Sequence, residues 1–349
     1  MAEMEIDGRK IGKDYPPYII AEMSANHNGS LERALKIIKM AKEAGADAVK
    51  LQTYRADTMT LNVDHPRFRV QGDNPWDGDH LYDLYERAAT PWDWHQELFD
   101  YAEKIGITVF SSPFDSDAID LLESLHVPAY KIASFELVDH ELIRRCAETG
   151  KPLIMSTGMA TITEIAEAVE VARAAGVNNL ALLKCTSAYP APFDTINLKT
   201  MPNLSETFSV LSGLSDHSMG TAIPVAATAL GATIIEKHVT LSRADGGVDS
   251  TFSLEPHELK QLVDDTRNAH SALGCITYVK SDLETSFKKY RRSLFFIKDL
   301  PAGHVLGEDD IAALRPGDGL MPKYKNAVLG RSLGTAVTRG MPVSWETLA

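Results

Sequence analysis

Cysteine is scarce in this 349-residue sequence, and what there is lies scattered. Cys146, Cys185 and Cys275 are odd in number, widely separated and form no Cys-x-x-Cys pair. That pattern argues against a disulfide framework or a thiolate zinc site and fits a reducing cytoplasm. Long apolar runs are missing too, since none approaches the ~18 residues of a membrane span. The first residues, Met-Ala-Glu-Met-Glu-Ile-Asp, lack the basic and apolar regions of a secretion signal. Positive charge is in short supply, with 35 Lys and Arg against 48 Asp and Glu and a net charge of −13. Wholesale binding to nucleic acid or to an anionic membrane is therefore not expected. The shortage is uneven: from Thr285 onward 10 Lys and Arg face 6 Asp and Glu, while the preceding 284 residues carry 25 against 42. No G-x-G-x-x-G follows the first strand-like run and no Walker-type loop occurs, so a nucleotide is not indicated.

What is present is a regular alternation. Apolar runs at Tyr18–Met23, Asp47–Gln52, Ile107–Ser111, Ala129–Ala133, Leu153–Ser156, Leu180–Cys185, Phe208–Leu214 and Ala232–Ile235 read as strands. They are continuous rather than alternating, as expected where both faces of a parallel sheet are covered. Helix-like stretches follow most of them: Leu31–Ala44, Pro91–Ile105, Ser116–Ser124, His140–Glu148, Ile162–Ala175, Gly220–Leu230 and Pro256–Leu273. Ser30 and Gly45 bracket the first helix, and Thr90 followed by Pro91 is expected to open the second. Tyr189–Ser205, punctuated by Pro, Asn and Thr, stands where a sixth helix is expected. Eight β/α units over about 255 residues have the size of a closed (β/α)8 TIM barrel, assigned to residues 1–280. A long insertion, 53–90, follows the second strand, and loops of that length are functional or contact partners. Residues 281–349 carry turn signals at Lys298–Gly303, Arg315–Gly319 and Arg339–Pro342 with short β segments between them. About 60 residues is small for an independent core, so this second domain is expected to dock on a partner surface.

In a barrel of this kind, polar residues at strand C-terminal ends are the catalytic candidates. Ser215-Asp216-His217 and Glu236-Lys237-His238 close the seventh and eighth runs and deliver two imidazoles to the same end of one sheet. Two histidines so placed suit a divalent metal with open coordination positions; either alone reads more simply as a satisfied side chain. The other strand ends contribute Glu22, Lys50, Gln52, Ser111, Ser112, Lys131, Ser134, Glu136, Ser156, Thr157, Lys184, Thr186 and Ser187. Lysines are rarely buried unless paired. Lys50, Lys131, Lys184 and Lys237 within apolar strands, with hydroxyls interleaved, therefore point to a multiply charged anion such as a small phosphorylated acid. A Schiff-base lysine in a metal-free aldolase acting on pyruvate is the competing reading.

Several motifs resemble the sialic acid synthase family: Ile19–Gly29, Ala46–Gln52, Phe110–Phe114, Tyr130–Ser134, Ser156–Met159, Lys184–Pro190, Gly213–His217 and Ile235–His238. The C-terminal domain resembles that family's small β-rich antifreeze-like (SAF) domain. Glu22–His27, Trp76–Tyr85, Thr90–Trp92, Ala133–Glu136, Cys185–Pro190, Phe252–Glu255 and Ser271–Gly274 resemble its pseudaminic branch. Ser187 stands where sialic acid synthases usually carry Asn. The resemblance implies condensation of phosphoenolpyruvate with an open-chain amino sugar and release of phosphate. It implies metal ligation by His217 and His238, with Mn2+ expected and Mg2+ or Co2+ as other candidates. Lys50, Lys131, Ser134, Ser156, Ser187 and Ser215 match phosphoenolpyruvate contacts. Glu22, Glu136 and Asp249 are the catalytic candidates, and Gln52, Tyr189 and Arg315 the sugar contacts. The family also implies a domain-swapped homodimer in which Arg315 enters the partner's barrel. Legionaminic and N-acetylneuraminic acid synthases are the neighbouring activities.

Overall fold

The structure, a computed structural model, describes residues 3–72, 74–279 and 281–349. Met1 and Ala2, Asp73 in the long insertion and Lys280 at the expected domain boundary lie outside them. The chain divides into two compact units, Met1–Gly274 and Cys275–Ala349. No helix among the described residues is long and apolar enough to cross a membrane.

In the first unit eight parallel strands close a barrel. They are β1 (Tyr18–Glu22), β2 (Ala48–Thr53), β3 (Thr108–Pro113), β4 (Tyr130–Ile132), β5 (Leu153–Ser156), β6 (Leu180–Cys185), β7 (Leu211–Asp216) and β8 (Ile234–His238). Each pairs with the next in chain order, and β8 returns to β1. The helices between them are α1 (Leu31–Ala44), α2 (His95–Ile105), α3 (Ser116–Ser124), α4 (His140–Glu148), α5 (Ile162–Ala174), α6 (Thr200–Phe208), α7 (Ala222–Ala229) and α8 (Pro256–Leu273). Ile19 and Val49 on the strands share one core with Ile37 of α1, Leu98 of α2 and Leu262 of α8. Each such buried aliphatic side chain contributes about 1.5–3 kcal/mol.

Three elements differ from expectation. A hairpin, Met4–Ile6 with Arg9–Ile11, precedes the barrel, and its Met4, Ile6 and Ile11 join the core that holds Ile20 and Phe110. The second helix begins later than Thr90–Pro91: Pro91 has a ψ of 135°, outside the helical region, and a 3-10 turn at Trp92–Trp94 intervenes. Thr90 is no cap, since its buried hydroxyl has no hydrogen-bond partner among the described residues. A sixth helix does exist, α6, with Pro202 in its first turn, where a missing N–H removes no helical bond. Phe208 ends that helix, so β7 starts only at Leu211.

The second unit pairs two strands, β9 (Ser293–Phe296) and β10 (Ile311–Leu314), antiparallel. Isolated bridges such as Leu300 with Val337 and Val305 with Ser332 extend the β-rich character. Contrary to the expectation from its length, it holds a core of its own, including Leu294, Phe296, Leu306, Val328 and Val343.

Candidate active site

The barrel register brings the strand-end residues level. His238 lies opposite Glu22, and Glu22 opposite Lys50. Ser215 lies opposite both Glu236 and Cys185. Because successive strand residues face opposite sides, Glu236 and His238 turn into the mouth while Lys237 turns away. Of the expected barrel residues, Glu22, Lys50, Gln52, Lys131, Ser134, Glu136, Ser156, Ser187, Tyr189, Ser215, His217, His238 and Asp249 line one cavity of about 500 Å³.

Two lysines and two glutamates form its floor. Lys50 Nζ donates to Glu22 Oε1 at 2.5 Å and lies 4.0 Å from Glu236 Oε2. Lys131 Nζ donates to Glu236 Oε1 at 3.2 Å, and Ser215 Oγ donates to the same oxygen at 2.9 Å. Gln52 Nε2 donates to Glu22 Oε1 at 2.8 Å. Burial raises the Glu22 pKa, but Lys50, His238 and Lys131 outweigh it and hold the carboxyl well below the usual range. Burial disfavours the charged form of Lys50, and Glu22 and Glu236 reverse the effect, so its pKa is raised. Glu136 behaves oppositely: burial pushes its carboxyl up to about 7. Four buried polar atoms of the site, Ser156 Oγ, Glu136 Oε2, Glu236 Oε2 and His238 Nδ1, have no hydrogen-bond partner among the described residues. Leaving such atoms unpaired costs about 1–3 kcal/mol each, so a polar ligand stabilises this cavity.

The two imidazoles stand with ring centroids 5.3 Å apart. His217 Nδ1 lies 3.0 Å from the Thr186 carbonyl, which can only accept, so Nδ1 carries the proton and leaves Nε2 for a ligand. Among the described residues His238 Nδ1 has no hydrogen-bond partner, with Asp249 Oδ2 4.0 Å away, and its Nε2 is 3.4 Å from Glu22 Oε2. Among the described residues no three His, Cys, Asp or Glu side chains gather into a ready metal site. Two free imidazole nitrogens beside a polar cavity nonetheless fit a divalent ion that keeps open positions. Burial raises the Cys185 thiol pKa, but His217, 4.0 Å away, brings it down to about 7. Burial lowers that of His217, and Cys185 lifts it to about 8, so a metal taking Nε2 would displace a proton there.

Two of the four expected anion-binding lysines do not take part. Lys237 Nζ donates to Asp216 Oδ2 at 2.8 Å and to the Ser218 carbonyl inside the barrel wall. Lys184 lines a separate surface groove with Thr157, Met159 and Lys199, and its ammonium donates to the Cys185 carbonyl at 2.7 Å. Ser111 is likewise in the wall, 2.6 Å from Thr53 Oγ1. Asp249 reaches the mouth from beyond β8 and accepts a hydrogen bond from Ser24. Arg315 is an exposed residue of the second unit. Glu236, a strand-end candidate with no specific role assigned from sequence, shares the inward face of β8 with His238 and pairs with Lys131. The aromatic wall was not legible from sequence: there the Tyr189 ring lies tilted, 4.4 Å from His217 and 5.4 and 5.1 Å from Trp76 and Phe252 between ring centroids.

A closed barrel with this mouth, joined to a β-rich unit, has known counterparts. The NeuB family model matches residues 37–278, and the SAF domain model matches residues 291–349. The chain belongs to the NeuB family. Within that family it is 45% identical over 335 residues to the pseudaminic acid synthase of Helicobacter pylori, covering 95% of this chain and 98% of that protein. It is 36% identical over 340 residues to the N,N'-diacetyllegionaminic acid synthase of Legionella pneumophila, covering 96% and 95%. Another similar NeuB-type fold is the crystal structure of N-acetylneuraminic acid (sialic acid) synthetase from Leptospira borgpetersenii in complex with citrate. It has a TM-score of 0.72 at 33% identity, covering 82% of this chain and 94% of that one.

Proposed function

We propose that this NeuB-family enzyme is a pseudaminic acid synthase. It condenses phosphoenolpyruvate with 2,4-diacetamido-2,4,6-trideoxy-altrose, giving a nine-carbon nonulosonic acid and phosphate. The observation that carries the reading is the buried pairing of Lys50 and Lys131 with Glu22 and Glu236 beneath two imidazoles. Higher identity to the pseudaminic than to the legionaminic relative supports the branch.

Lys50, Lys131 and the hydroxyls of Ser134, Ser156, Ser187 and Ser215 hold the phosphate and carboxylate of phosphoenolpyruvate. C3 of phosphoenolpyruvate bonds to the sugar's aldehyde carbon, and the aldehyde oxygen takes a proton. Glu136, about half protonated at neutrality, is suited to supply it. Water then adds to C2 while Glu22, ionised beside Lys50, receives its proton. The tetrahedral product expels phosphate by C–O cleavage, the C2 hydroxyl proton leaving with the phosphate as the ketone forms, and the proton on Glu22 returns through solvent to Glu136 for the next turnover. His217 and His238 would hold a divalent metal, Mn2+ in our reading, whose Lewis acidity polarises the aldehyde. Gln52, Tyr189 and Asp249 orient the sugar. We place the reaction in the cytoplasm, in keeping with the unpaired, buried thiols of Cys146 and Cys185. We also propose a homodimer in which Arg315 of each protomer completes the partner's site.

The deciding assay follows phosphate release from phosphoenolpyruvate with Mn2+ and three sugars: the altrose substrate, the mannose-type legionaminic precursor and N-acetylmannosamine. Fastest turnover is expected with the altrose sugar. Faster turnover of either other sugar overturns the branch, and no phosphate with any of them overturns the synthase reading.

A further inference from the structure

Ser24 holds a backbone conformation that its residue type does not favour. It lies just beyond β1, opens the buried 3-10 turn Ser24–His27 and has a φ of 47°. Left-handed backbone crowds Cβ against the following carbonyl, so glycine and, less often, asparagine occupy it. Asn28, which ends the same turn with a φ of 50°, obeys that rule, and Ser24 does not. Its hydroxyl supplies the reason. Ser24 is 2% exposed and donates to Asp249 Oδ2, and both residues line the cavity at the barrel mouth. Strained residues persist where their surroundings over-determine them, and they cluster at active sites.

Asp249 needs such a hold. It follows Gly246 and Gly247, with φ of 72° and 130°, in the loop that leaves β8. It stands at the N-cap position of the 3-10 turn Ser250–Phe252, where an aspartate ordinarily binds the N–H groups of its own turn. Here the side chain makes no cap bond and turns to Ser24 instead. The rest of the turn after β1 fastens the same loop. Asn26 Nδ2 donates to the Val239 carbonyl and to Ser253 Oγ, each at 2.8 Å, and Asn28 Nδ2 donates to the Gly246 carbonyl at 3.0 Å. Ser253 Oγ in turn donates to the Asp249 carbonyl at 2.6 Å. Those bonds fix the path of the loop; among the described residues Ser24 alone donates to the carboxylate. We infer that Ser24 is a positioning residue of the condensing reaction, whose hydroxyl holds the Asp249 carboxylate in place to orient the sugar. The inference rests on that reaction and on the role of Asp249 proposed above.

The test follows phosphate release by the full chain with Mn2+, phosphoenolpyruvate and whichever of the three sugars the unaltered enzyme turns over fastest. Ser24→Ala removes the hydroxyl and keeps the strained backbone. Ser24→Gly removes both, so it should melt above Ser24→Ala. Each should lower kcat/KM for the sugar roughly 10-fold or more, the size of a hydrogen bond to a charged group. KM for phosphoenolpyruvate should stay where it was. Asp249→Ala, assayed at high enzyme concentration, should lose at least as much. Adding Ser24→Gly to it should cost almost nothing further, because the hydroxyl then has nothing to hold. Unchanged sugar kinetics in both Ser24 variants overturn the inference alone, as does a lower melting temperature for Ser24→Gly than for Ser24→Ala. So does a parallel rise in KM for phosphoenolpyruvate, the mark of a loosened turn. A full further loss in the double variant also overturns it, since the hydroxyl then acts on the sugar directly. No phosphate from the unaltered enzyme with any of the sugars overturns the condensing reaction, and this inference with it.

Discussion

Glu136 carries an ionisation that the folded chain disfavours. Burial raises its pKa from 4.5 to about 7. Below pH 4.5 the carboxyl is protonated in the folded and unfolded chain alike, and nothing is lost. As pH rises, the unfolded chain releases the proton first, and stability falls until the folded pKa near 7 is passed. Glu136→Gln should remove that loss, so its melting temperature should exceed the parent's by a margin that grows between pH 4.5 and about 7, while kcat falls. Melting curves across that range, with an assay at neutrality, check both signs. Gly158 shows a tighter constraint: a Cβ there would lie 2.4 Å from Ser187 Oγ and 2.7 Å from Ser134 Oγ. Its N–H donates to Ser134 Oγ at 3.1 Å. Gly158→Ala should push those hydroxyls off their positions and raise KM for phosphoenolpyruvate roughly 10-fold or more, the size of one lost hydrogen bond, with the fold retained by circular dichroism. Most individual site residues were legible because a polar residue ending an apolar strand has few structural reasons to be there. The functional weight of Gly158 was not, because a space requirement leaves no mark on a single sequence.

Among the elements, strands were the most readable, since eight continuous apolar runs became the eight staves of the barrel. Which face of a stave a residue occupies was harder to read. Lys184 and Cys185 are neighbours in sequence, yet Cys185 lines the cavity at the barrel mouth and Lys184 a surface groove. Strict alternation along Glu236-Lys237-His238 would have excluded Lys237 and promoted Glu236. The first hairpin was missed although Asp7-Gly8 signals it. Both residues have positive φ, 49° and 75°, as a tight two-residue turn demands. Helix α6 was obscured by Pro202, which breaks a helix only beyond the first turn. Cap chemistry gives an element-level forecast. Thr161 and Glu164 form a reciprocal capping box at the start of α5. Thr161→Ala should lower stability to urea by about 1 kcal/mol and leave kcat unchanged.

At the scale of the molecule, the proposed exchange of C-terminal units makes a mixing experiment decisive. Arg315→Ala and His217→Ala should each be nearly inactive alone. Co-refolded in equal amounts, a swapped dimer pairs both lesions in one site and leaves the other intact, so about a quarter of parental activity should return if protomers associate at random. A mixture as inactive as its parts argues against the swap. The small unit's own core was not expected from its length, because hydrophobic content read along a turn-rich chain does not reveal which short segments will close over one another.

The carboxylates between the lysines have a further consequence. The chain as a whole is acidic, and at the bottom of the mouth each ammonium already faces an oxygen of opposite sign. Such a floor exerts little pull on distant anions, since paired charges cancel beyond contact and salt screens what remains. If Lys50 and Lys131 hold phosphoenolpyruvate as proposed, recognition proceeds by exchange, lysine by lysine, with Glu22 and Glu236 giving up those contacts and reclaiming them afterwards. On that proposal free phosphate, with no carboxylate for the second lysine, would compete poorly for the exchange, and the arrangement would favour departure of the product over its retention.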